Sequence, residues 1–110
     1  MGKHEEAWAE ALTVKKMIDD AGEAGQQYVP AWHYLAGYLK LEAGDSAAAV
    51  AELTQIEQRD PFQELLLARA YEKTGAQAEA RKAYRTVVES QQNGLDRALA
   101  YAEAKKKLAS

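Results

Sequence analysis

A glycine followed five residues later by an alanine opens three amphipathic stretches of this chain: Gly2 and Ala7, Gly44 and Ala49, Gly75 and Ala80. The stretches read GKHEEAWAEALTVKKMID, GDSAAAVAELTQIEQRDP and GAQAEARKAYRTVVESQQ. A signal recurring at this interval constrains the fold more than composition does. One such unit cannot bury its apolar face alone, so the units must stack on one another. Stacked helix pairs present binding surfaces more often than catalytic centres.

The stretches have room for a core. The chain has 110 residues, 47% of them apolar and 28% charged, the balance of an ordinary folded domain. Its formal charge is -3, and the one basic tract is Lys105-Lys106-Lys107. A nucleic-acid reading needs a basic face, so no nucleic-acid partner is expected. There are no cysteines, which excludes disulfides and thiolate metal sites but leaves the compartment open, cytoplasmic by default. The N-terminus has no apolar signal-peptide core, and no apolar run approaches the roughly 20 residues of a membrane span. The abrupt start at Met1-Gly2 reads as a piece of a longer protein.

Only two prolines interrupt a chain rich in alanine, leucine, glutamate, lysine and glutamine, all good helix formers. The pattern predicts an all-α fold of six helices. The first runs over residues 4–21, with Ala7, Ala11, Val14 and Ile18 as its apolar stripe. The second runs over 30–43 with Pro30 in its first turn, and the third over 46–58 with Asp45 or Ser46 as N-cap. Asp60-Pro61-Phe62-Gln63 predicts a capping box at the start of the fourth, which ends at Gly75. The fifth covers 77–90, Asn93-Gly94 is a turn signal, and the sixth covers 95–108. Between the first two helices, AGEAGQQYV reads as a longer, glycine-loosened loop.

The stretch from Trp32 to Pro61 resembles a tetratricopeptide repeat. The resemblance rests on AWHYLAG with Gly37, on Gly44-Asp45, on Ala49 and on the closing Pro61. Leu67, Ala68, Tyr71, Gly75, Ala80 and Tyr84 repeat it in the next unit. The two intervals are 42 and 31 residues, against about 34 for the family, and Gln92 stands near the place of a second closing proline. The resemblance implies one domain over 1–110: a half-repeat helix at 2–21, repeats at 30–60 and 61–92, and a capping helix at 95–109. It implies a right-handed stack of antiparallel hairpins, with Gly37, Ala49, Ala68 and Ala80 allowing close helix approach.

Helix two is apolar nearly all round. Trp32, Leu35, Ala36, Leu39 and Ala43 fall on one face, Tyr34, Tyr38 and Leu41 on nearly the opposite one, and His33, Gly37 and Lys40 between them. The resemblance places Tyr34 and Tyr38 on the concave face, with Arg69, Glu72 and Lys73 of helix four beside them. Tyr34, Tyr38, Leu41, Arg69, Glu72 and Lys73 are therefore the candidate peptide-groove residues; the alternative is that Tyr34 and Tyr38 pack under helix one or the long loop. The lysine, arginine and asparagine clamp by which some family members hold acidic peptide ends is not present at these positions.

Catalytic and metal signals are weak. His4 and His33 have no second ligand at metal spacing, so no cofactor or metal is expected. Glu5-Glu6 and Asp19-Asp20 are consecutive and point about 100° apart, so they do not converge. There is no phosphate loop, G-x-S-x-G or H-E-x-x-H. The sequence favours a non-catalytic module that binds a peptide or protein on a helix-lined concave face. The alternative is a structural module that self-assembles, or packs within a longer protein, through apolar surface left open near Ala7, Trp8 and Ala11.

Overall fold

The computed structural model describes residues 2–89 and 95–109, and among these every regular element is helical. The six α-helices are α1 (Gly2–Asp20), α2 (Val29–Glu42), α3 (Ser46–Leu53), α4 (Pro61–Thr74), α5 (Gln77–Val88) and α6 (Leu95–Ala109). The all-α class and the number of helices agree with the sequence. The Asn93-Gly94 turn, Gln92, Ser90 and Ser110 lie outside the described residues.

The helices form two compact units, Met1–Ile56 and Glu57–Ser110. The division falls between Ile56 and Glu57, after the end of α3 and before the start of α4. In the first unit α1 packs on α2 and α2 on α3; in the second α4 packs on α5, and α6 on both.

Local signals explain where the helices start. The Asp45 carboxylate accepts from the Ala48 amide at 3.1 Å, satisfying one of the orphan donors of α3. At α4 the predicted capping box is complete. Asp60 accepts from the Gln63 amide at 2.8 Å, Gln63 accepts from the Asp60 amide at 2.9 Å, and Pro61 needs no donor at the first helical position. Gly44 and Gly75 take φ of +88° and +87°, left-handed values that close α2 and α4 and turn the chain into α3 and α5. Five residues on, Ala49 and Ala80 are buried. The first pair differs. Gly2 is the first residue of α1, Ala7 is half-buried, and the buried alanine of that helix is Ala11.

The small residues singled out by the repeat sit where helices touch. A Cβ on Gly37 would stand 2.7 Å from Leu53 Cγ, so the close approach of α2 and α3 needs the missing side chain. Ala68 and Ala80 lie in the core of the second unit with Leu65, Ala83, Tyr84, Val87 and Ala104.

Two expectations are corrected. α3 ends at Leu53, five residues before Gln58. Thr54 caps it, the Thr54 hydroxyl donates to the Ala51 carbonyl, and i→i+3 bonds from Gln55 and Ile56 wind the chain so that Ile56 is buried. The segment expected as a loosened loop is a 3₁₀-helix, Gly22–Tyr28, packed on α1 and α2.

Candidate functional site

The 3₁₀-helix shapes an open apolar groove in the first unit. Within it, a Cβ on Gly25 would lie 2.1 Å from the Ile18 carbonyl oxygen, so the segment rests on the α1 backbone at a distance only glycine permits. The chain then passes Tyr28 and enters α2 at Val29-Pro30, with proline in the first turn. Between α1, the 3₁₀-helix and the start of α2 lies a groove of about 420 Å³, lined chiefly by Val14, Met17, Ile18, Tyr28, Trp32 and Leu35. That volume falls within the roughly 300–1,000 Å³ usual for ligand pockets.

Trp32 forms the floor and is buried. It is held from the other side by Trp8, whose ring lies 5.9 Å away at a 43° tilt. The Lys40 ammonium sits 4.3 Å from the Trp8 ring centroid and faces the ring's negative π-surface. Trp8, Ala11, Ile18, Leu35, Ala36 and Leu39 join Trp32 in one cluster. This corrects the expectation of open surface at Ala7, Trp8 and Ala11. Ala11 is buried and Ala7 and Trp8 are partly covered, because α2 packs there.

The open apolar surface lies further along α1. Met17 is 66% exposed, Tyr28 54% and Val14 42%, and Leu12 is also exposed. Sequence reading put Val14 and Ile18 on the apolar stripe of the first helix and Tyr28 in a loop, and so missed the groove. Met17, apolar yet outside that stripe, was the available signal. Exposed groups near the groove include the pair of Lys15 and Asp19, 3.0 Å apart at i,i+4.

The expected peptide-groove residues fall in both units. Tyr34 and Leu41 on α2 are half-buried and Tyr38 is 44% exposed. His33, between the two apolar faces, pairs through Nδ1 with Glu52 Oε2 of α3 at 2.8 Å, joining the hairpin. In the second unit Arg69 and Glu72 are engaged by α5 and α6. Arg69 grips Glu103 with two donors, Nε to Oε2 at 2.8 Å and Nη2 to Oε1. The Tyr84 hydroxyl donates to Glu72, which also faces Lys107 Nζ at 3.6 Å. Lys73 is exposed.

This network shifts two acids. The Arg69 bonds hold the Glu103 carboxyl below the usual carboxylate range against the opposing effect of burial. Burial, reinforced by the bond to the Glu72 carboxylate, pushes the Tyr84 phenol far above its ordinary value. The Arg69–Glu103 and Tyr84–Glu72 bonds join α6 and α5 to α4.

A second cavity lies within the second unit, among Arg59, Glu64, Tyr71, Glu79, Lys82 and Thr86. At about 160 Å³ it is below the usual ligand range, and its buried acid, Glu64, already meets Arg59 at 2.9 Å. Among the described residues there is no metal-competent cluster of acids and histidines, and no helix is long and apolar enough to cross a membrane. No family model matches the chain, and no curated protein or solved structure matches it either, so the functional reading rests on the groove's own chemistry.

Proposed function

We propose that the chain is a non-catalytic interaction module whose first unit receives a peptide or protein partner in the apolar groove. The observation that carries this reading is the exposure of Met17 and Tyr28 beside a preformed apolar cavity. Covering a side chain of methionine's size contributes about 1.5–3 kcal/mol, which a partner gains and the folded chain leaves unrealised. The groove's lining is almost wholly apolar and brings together no acid, base or nucleophile, so its chemistry suits recognition.

The tetratricopeptide reading belongs to this proposal. It is supported by left-handed glycines closing α2 and α4 and by buried small residues at matching places in two hairpins. In that reading Tyr34, Tyr38 and Leu41 form a second docking face, supported by the exposure of Tyr38. Arg69 and Glu72 add less to it, since α5 and α6 already engage them.

The structural alternative, self-assembly through the first helix, draws on the exposed Leu12, Val14 and Met17. Panning a displayed library of helical peptides separates these readings. Selected peptides should bind the wild-type chain and the Tyr34→Ala/Tyr38→Ala variant and lose Val14→Gln/Met17→Gln. Peptides sensitive only to the tyrosines would move the site to the other face of α2. No selected binder, together with a concentration-dependent dimer in sedimentation, would replace the module by the self-assembly reading.

A further inference from the structure

We infer that the groove of the first unit takes an amphipathic helix whose apolar anchors are flanked by lysine or arginine. This rests on the binding reading above and names the partner's chemistry.

Charge around the groove is one-sided. Residues 1–56 hold four lysines and no arginine against nine carboxylates. Along α1, Glu10 lies four residues before Val14 and seven before Met17, so it continues the groove's stripe on the same face. Glu6 extends that stripe by another turn. At the opposite end Asp20 and Glu23 flank Ala21, where the groove meets the 3₁₀-helix. All four carboxylates are exposed. Of the neighbouring cations Lys15 is paired with Asp19, while Lys3 and Lys16, at helical spacing from Glu6 and Asp20, leave the four carboxylates in twofold excess. An apolar centre framed by acids at both ends suits a partner that is apolar in the middle and basic at its ends.

The backbone argues for a helical partner. No strand edge is available among the described residues, so an extended peptide finds no ladder to join. Recognition falls to side chains, and from Val14 to Ala21 the stripe spans about two helical turns. A docked helix presents anchors at i, i+3 or i+4 and i+7 over that length. A helix packs into the gap between two helices as ridges into a groove.

The test uses the full chain and two synthetic helical peptides with the same leucine anchors, one flanked by lysines and the other by glutamates. Fluorescence anisotropy at low salt should give the lysine-flanked peptide a roughly tenfold or greater advantage. The advantage should collapse in a Glu6→Gln/Glu10→Gln/Asp20→Asn/Glu23→Gln variant and at high salt, where exposed charges are screened. Equal affinities for the two peptides would overturn the basic-partner inference and leave the groove reading standing. Failure of both peptides, with the chemical shift of the Met17 methyl unmoved, would overturn both. A chain dimer abolished by Met17→Gln would assign the groove to a second copy and overturn the inference as well.

Discussion

Gly25 rests on the carbonyl of Ile18 so closely that a methyl group in place of its hydrogen would lie 2.1 Å from the oxygen. The obstacle is backbone, so it cannot yield as the tip of a flexible side chain would. Gly25→Ala should therefore lift the 3₁₀-helix from α1 and lower stability by about 1–3 kcal/mol, the usual cost of overpacking. Urea denaturation monitored by circular dichroism checks this; an unchanged midpoint would mean that the segment is not seated on α1.

Met17→Gln tests whether the exposed side chain is dispensable to the fold. Glutamine matches methionine in helix propensity, and the position is largely solvated, so stability should change by no more than about 0.5 kcal/mol. The groove loses its most exposed anchor at the same time, and a bound helical peptide should weaken roughly tenfold, from about 1.4 kcal/mol of lost apolar contact. Thermal melts and peptide titration on the same preparation separate the two effects.

Trp8 clamps the floor of the groove from behind. Trp8→Ala removes the tilted contact with Trp32 and the Lys40 cation–π contact together. The loss should be about 2–4 kcal/mol, toward the lower end because Trp8 is only half-buried. Lys40→Met should cost less, about 0.5–1 kcal/mol, since it removes only the cation–π contact. Both are read from denaturant midpoints.

The packing of α6 and α5 on α4 should respond to pH at the acid and alkaline extremes respectively. The Glu103 carboxyl is held low in the folded state by Arg69, so its contribution is present above the ordinary value of 4.5 and disappears as pH falls through the depressed folded value. Tyr84 shifts the opposite way. Its contribution is present below the ordinary value of 10.0 and is lost as pH rises beyond it, because the unfolded chain ionises first. Glu103→Gln should flatten the acid limb of a stability–pH curve, and Tyr84→Phe the alkaline limb. Tyr84→Phe also leaves Glu72 without that donor and should cost about 1–2 kcal/mol at neutral pH.

The starts of α3 and α4 and the stops of α2 and α4 were legible because they depend on local chemistry. Asp60, Pro61 and Gln63 specify their capping box within four residues, and Gly44 and Gly75 specify their own turns. What escaped the sequence depends on packing between distant segments. The 3₁₀-helix forms because Gly25 can lie against Ile18, a relationship that no periodicity reports. Periodicity also cannot tell which apolar residues of α1 find a neighbour. Ala11 meets α2, while Val14 and Met17, on adjoining parts of the same helix, face an open groove. Arg69 and Glu72 read as surface residues of α4, and their engagement comes from α5 and α6, with Glu103 34 residues from its partner.

The central claim, that the groove of the first unit docks a basic amphipathic helix, is tested most directly through methionine methyl resonances. The chain has two methionines, Met1 and Met17, so methyl-labelled protein gives one signal inside the groove. Titration with the lysine-flanked helical peptide should shift the Met17 signal saturably while the ring signals of Tyr34 and Tyr38 stay in place. A Met17 signal that stays in place while the Tyr38 ring shifts would contradict the account and put the partner on the other face of α2.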